Sequence, residues 1–235
     1  MQSTRGTYSD RIAEMDLYLA EIEELDEELR RSPGDSDHSA EKIIQKDIFL
    51  KILKANALLM IYNLVESTVT NGIGEIYDKL KSKRITYSTV RDEIKKIWFA
   101  YKFRQVFQLD AHFLSYKNKA LEIINSIIGG ESIELNKNFM SFGGNLDADK
   151  IRKVCIDHGI TFKVDNNCKA GVRLNDVKIK RNALSHGTMS FSECGRDYSV
   201  SEITKIKDQT DIYLRCLIDG MEKYYDEEGY LLSNF

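Results

Sequence analysis

Ala55-Asn56-Ala57-Leu58-Leu59-Met60-Ile61-Tyr62-Asn63-Leu64-Val65-Glu66 is apolar on almost every side of a helix, so residues 55–66 belong at the centre of a helical bundle. Working backward, Leu53, Ile52, Leu50, Ile48, Ile44 and Ile43 extend this helix to a start near Ser39. Forward, it continues to Ile76, Tyr77 and Leu80, with Gly72 and Gly74 placed to kink it. Upstream, Ile12, Met15, Leu19, Ile22, Leu25 and Leu29 recur at three- and four-residue steps and predict a helix from Tyr8 to Arg31, capped by Ser9 or Asp10. Its other faces are acidic, with nine carboxylates against four basic side chains over residues 1–31. Pro33-Gly34-Asp35-Ser36 then supplies turn chemistry, so residues 1–36 read as an exposed acidic arm that supports a dimer.

Composition agrees with a mainly α fold. One proline among 235 residues leaves few obligatory helix breaks, and 42% hydrophobic with 30% charged content excludes collagen-like and disordered classes. Uninterrupted apolar runs fall short of the roughly 20 residues that span a bilayer, and the amino terminus is acidic, so neither a membrane span nor a secretory signal is expected. Cys155, Cys168, Cys194 and Cys216 form no CxxC pair, which argues against a zinc ribbon or disulfide scaffold and for a cytoplasmic location. His38, His112 and His158 lack metal-site spacing, and Gly143-Gly144 lies in no GxGxxG or GxxxxGK phosphate loop; no metal and no cofactor are expected.

Residues 77–104 are basic, with nine Lys or Arg against three carboxylates. Trp98, Phe99, Tyr101 and Phe103 interleave with these charges on an expected helix from Ser88 to Phe107. Lys95 and Lys96 there are candidates for guiding an RNA backbone, while the plainer reading turns the aromatics to the core and the charges to solvent. A helix over 111–128 ends at Gly129-Gly130. Between 129 and 171 the pattern alternates at 132–135 and 160–164, which predicts short strands around an inner helix at 147–158: a small α+β insertion between the bundle segments 37–128 and 172–235. A helix from Arg173 to His186, a turn or hairpin at 191–198, and a last helix to Tyr225 capped by Ser199 or Ser201 complete the chain.

Chemistry concentrates in Lys178-Ile179-Lys180-Arg181-Asn182-Ala183-Leu184-Ser185-His186-Gly187. Asn182 and His186, four apart, share a face; Arg181 and His186, five apart, diverge by roughly 140° at 100° per residue. A site using both therefore needs a bent helix end, converging side chains or a second copy. The helix-end carbonyls favour imidazolium at His186 and the neighbouring Lys180 and Arg181 oppose it, a balance suited to a general acid or base. Arginine adds a permanent charge and a planar fork of donors that matches phosphate. These groups fit metal-free attack of a ribose 2′-hydroxyl on its phosphodiester. Glu66, in the central helix, reads either as a buried partner for Arg181 or His186 or as a helix-surface charge.

Arg181-Asn182-Ala183-Leu184-Ser185-His186-Gly187 resembles the R-x4-H signature of the HEPN superfamily, including the polar residue after Arg and the glycine after His. A long apolar helix far upstream and a final helix after the motif are similar to the HEPN-like helical bundle, in particular the MAE-type subgroup of prokaryotic toxin-antitoxin and antiphage-defence loci. The resemblance covers roughly residues 40–128 and 172–230. It implies a metal-independent endoribonuclease with RNA as substrate, a homodimer pairing two R-x4-H helices in one cleft, and an antitoxin or defence-system partner protein. Arg181 and His186 match the catalytic pair and Asn182 the polar position, with Ser185 as local support and Lys178 and Lys180 as candidate RNA contacts. Thr188 stands where some HEPN toxins carry a tyrosine that is nucleotidylated, so that mode of silencing is not implied. The alternative is a non-catalytic HEPN module that binds RNA, nucleotide or a protein partner.

Overall fold

The computed structural model describes residues 1–31, 37–104, 113–139 and 143–232. Its α-helices are α1 Gln2–Arg31, α2 Asp37–Ser82, α3 Asp92–Arg104, α4 Phe113–Ile128, α5 Ala148–His158, α6 Arg173–Ser185, α7 Phe191–Arg196 and α8 Val200–Asp226. The turn at 33–36, His112, and the expected helix ends at Phe107 and Ala111 lie outside the described residues. The fold is mainly α, as the sequence predicts.

The 46 residues of α2 make it the axis, about 70 Å long at 1.5 Å per residue. Ala55, Ala57, Leu58, Ile61, Tyr62, Leu64 and Val65 are all buried in its central turns. As a helix, Glu41–Ser82 reaches the length and mean hydropathy of a membrane span, although no uninterrupted apolar run within it does. Here α1, α6, α7 and α8 pack against it instead. Gly72 and Gly74 do not break the helix; Gly72 lets α8 approach, because a methyl there would come within 2.5 Å of Met221 Sδ.

The acidic first helix is not an exposed arm. It starts at Gln2, about two turns before the expected caps, and buries Thr4, Tyr8, Ile12, Met15, Leu19 and Ile22 in the common core. Its polar contacts run in reverse order along both neighbours. Thr4 bonds Glu75, Tyr18 the Leu53 carbonyl and Glu28 pairs with Lys46 on α2, while Arg5 meets Glu222, Tyr8 meets Asp211 and Asp16 meets Lys207 on α8. α1 is therefore antiparallel to α2 and α8, with its predicted apolar stripe between them.

Among the described residues the 129–171 segment holds no strand, which corrects the α+β expectation. Ser132 makes one isolated bridge to Thr86, and 160–164 is irregular chain lying on α8. Phe162 meets Tyr213 edge-on, 5.8 Å between ring centres, and a methyl on Gly220 would overlap Phe162 Cβ. The alternation thus records one-sided burial without a pairing partner. Asp147 caps α5 by accepting the Lys150 N–H at 2.9 Å, and Gly159 closes it at φ +73°, as expected. At 191–198 there is a short helix, α7, in place of the expected turn or hairpin. A reciprocal Ser190–Glu193 capping box opens it, and a second one, Ser199–Glu202, opens α8.

Candidate functional site

Leu174, Val177 and Leu184 are the buried residues of α6. Arg181 falls on the same stripe, seven residues after Leu174 and three before Leu184, so its side chain is directed toward α2 rather than to solvent. Its Cζ lies 4.7 Å from the centre of the Tyr62 ring, and its Nη1 donates to Asn182 Oδ1 at 3.0 Å. The Tyr62 hydroxyl in turn accepts the Leu146 N–H at 3.2 Å, and Asn182 Nδ2 reaches Asn145 Oδ1 at 3.5 Å. Burial raises the Tyr62 phenol above its ordinary value, against the Leu146 N–H and the Arg181 charge, so the ring is neutral. Gly144, buried at φ +75°, packs its backbone against the pair: a methyl there would overlap Arg181 Nη1 and come within 2.9 Å of Asn182 Oδ1.

Asp147 fastens the same segment to α6 by pairing with Lys178 at 2.6 Å. Burial opposes its charge, but Lys178 and the Lys150 N–H outweigh that and lower its pKa.

At the other end of the motif, His186 caps α6 with its N–H on the Asn182 carbonyl at 3.0 Å. Gly187, at φ +69°, donates to Leu184 O at 3.2 Å and Thr188 N–H to Ala183 O at 3.0 Å, the two bonds of a Schellman motif. The chain therefore leaves the helix along a fixed path with His186 exposed. Among the described residues its imidazole has no hydrogen-bond or ion-pair partner. Lys180, expected to oppose an imidazolium, is engaged by Asp197 at 2.6 Å, and that bond raises its own pKa. No hydrogen bond joins Arg181 to His186 among the described residues, in keeping with their angular divergence.

A family model described as HEPN_MAE_28990 matches residues 8–230. The chain is a HEPN protein of this MAE-type family. The matched range spans most of α1 and 129–171, both of which the motif resemblance left uncovered. No curated protein and no solved structure matches the chain.

The other expected site residues of this HEPN protein are spread more widely. Ser185 is exposed, and its hydroxyl makes no hydrogen bond among the described residues. Glu66, half-buried one turn beyond Tyr62, lines a groove of mixed character, about 790 Å³, between α1 and α2 with Asp10, Arg11, Glu14, Met15 and Met60. It forms no ion pair with Arg181 or His186 among the described residues. Most of the basic stretch is neutralised by the fold: Lys81 pairs with Glu134, Lys83 with Glu228, Arg91 with Glu93, Lys95 with Asp92 and Lys102 with Glu122. Lys96 is exposed. Tyr77, where this stretch begins, lies 15 residues beyond Tyr62, about 22 Å along α2, and α3 packs on α4 and α5. Lys95 and Lys96 are therefore not gathered with Arg181 and His186.

Tyr62, Gly144 and Asn145 escaped sequence reasoning. The signal available was Arg181 itself: an arginine on an apolar stripe requires a partner on the facing helix.

Proposed function

We propose that this HEPN protein is a metal-independent endoribonuclease of toxin or antiphage-defence type, acting as a homodimer whose two α6 ends line one cleft. One observation carries this reading: Arg181 and Asn182 are braced from α2 and the 144–147 segment, while His186 is exposed and unengaged at a fixed helix end. A neutral His186 imidazole takes the proton of a ribose 2′-hydroxyl, and the oxygen attacks the adjacent phosphorus. Arg181 meets the charge that builds on the pentavalent phosphate, the 5′-oxygen departs by taking a proton from water, and the His186 imidazolium returns its proton to solvent, leaving a 2′,3′-cyclic phosphate. DNA lacks the attacking hydroxyl. Exposed Ile179 lies on the face of α6 that leads to Asn182 and His186, which suits a second copy packing there.

Purified protein incubated with total RNA tests this. His186→Ala and Arg181→Ala are each expected to abolish cleavage while circular dichroism and light scattering report a folded dimer. Full cleavage by both variants overturns the assignment. A non-catalytic module binding RNA, nucleotide or a protein partner is the second reading, favoured by the engagement of Lys178 and Lys180 inside the fold. Expression separates the two, since an active toxin slows its host and His186→Ala relieves that effect.

A further inference from the structure

We propose that Tyr62 is a positioning residue for Arg181, and that the Gly144 backbone forms the second wall of the same cradle. The inference rests on the ribonuclease reading and goes beyond it by assigning work to residues 119 and 37 positions from the arginine.

A free arginine samples many rotamers, and stabilising a phosphate in the transition state requires donors that are already in place. Here the guanidinium lies over a ring that is 1% exposed, where a cation–π contact is stronger than at a wet surface. Burial holds the ring, and its hydroxyl accepts the N–H of Leu146, which is itself buried, so the 144–146 segment is tied to the ring. Asn182 Oδ1 accepts from Nη1. Among the described residues the other guanidinium donors carry no hydrogen bond, so they are left for a phosphate oxygen. Gly144 completes the cradle because only a residue without Cβ, at φ +75°, brings its backbone this close to Nη1. The segment that includes Gly144 and Leu146 thus touches the arginine, its amide brace and its aromatic platform together. That makes the 144–146 segment part of the site, although it lies outside the R-x4-H motif.

The test uses the full chain as Tyr62→Phe, Tyr62→Leu and Gly144→Ala, with two readouts. The first is RNA cleavage, split into kcat and KM. The second is the Arg181 side-chain Nε–H resonance, assigned by its loss in Arg181→Lys; a ring facing the guanidinium shifts it away from the solvent-exposed arginine position.

Tyr62→Phe keeps the ring and is expected to keep the shifted resonance and a kcat within about threefold of wild type. Tyr62→Leu is expected to return the resonance to the solvent-exposed position and to lower kcat about tenfold or more, with KM within about threefold. Gly144→Ala moves the resonance and lowers kcat in the same way, and it decides the matter if Tyr62→Leu fails to fold. An unshifted wild-type resonance, or leucine and alanine variants that keep the wild-type resonance and kcat, overturns the proposal. Wild-type protein that leaves RNA intact overturns the ribonuclease reading instead; the resonance then still decides whether the cradle exists.

Discussion

The Tyr77 hydroxyl donates to His158 Nε2 at 2.7 Å, while Nδ1 of the same buried ring faces the Val154 carbonyl at 2.7 Å. A nitrogen facing a carbonyl carries the proton, so the ring is the neutral Nδ1–H form. The His158 carbonyl also accepts the Tyr224 hydroxyl at 2.7 Å, joining α2, α5 and α8 at one point.

This arrangement makes stability depend on pH. Burial lowers the His158 pKa, with the Val154 bond and nearby Asp157 opposing, and the facing Tyr77 is raised by burial and stays neutral. The unfolded chain therefore binds the proton first as pH falls below the ordinary histidine range near 6.5. The contribution is complete above that range and is lost as pH falls toward the depressed value. Urea unfolding at pH 7, 6 and 5 is expected to show wild type losing up to about 1.4 kcal/mol per pH unit over part of that window. His158→Gln should flatten that slope; equal slopes would remove His158 as the cause.

Gly195 of α7 sits against the Lys51 backbone, where a methyl would overlap the carbonyl oxygen. Neither chain segment has a flexible side-chain end to give way. Gly195→Ala is expected to cost about 1–3 kcal/mol in chemical denaturation. An unchanged midpoint would mean that α7 can lift from α2 freely.

Asp147 both caps α5 and pairs with Lys178. Asp147→Ala removes both contacts and is expected to destabilise by about 1–2 kcal/mol. Asp147→Asn keeps a capping oxygen and should recover much of the loss. If alanine and asparagine behave alike, the ion pair outweighs the cap.

For the proposed ribonuclease, cleavage should persist in EDTA and leave 2′,3′-cyclic phosphate termini, read by end-labelling before and after acid opening of the ring. A strict divalent-metal requirement would count against the Arg181–His186 mechanism.

What was legible in the sequence was local. Asp147 and Gly159 bracket α5 because capping and αL chemistry act within one turn, and Gly187 marks the end of α6 for the same reason. The six residues of α7 are too few to show a period, although the Ser190–Glu193 box was there to read. At 160–164, alternation predicts a paired strand, but its physical source is a chain pressed on α8 near Gly220. Arg181 and His186 stand out as residues, but the contact of Arg181 with Tyr62 joins positions 119 apart. No local pattern encodes such a contact. The acidic faces of α1 read as an arm in the sequence, whereas its six-residue apolar stripe needs the two neighbours, α2 and α8, that cover it in the fold.

The two ends of the R-x4-H motif are anchored unequally: Arg181 lies in the packing between α6 and α2, and His186 lies in solvent. Under relaxed selection this asymmetry gives drift a direction. Replacing the histidine costs the fold little, whereas replacing the arginine leaves a polar gap over Tyr62. If the proposed ribonuclease were silenced, the packing would hold the arginine in place more firmly than the histidine, so position 186 is where such a loss would be tolerated first.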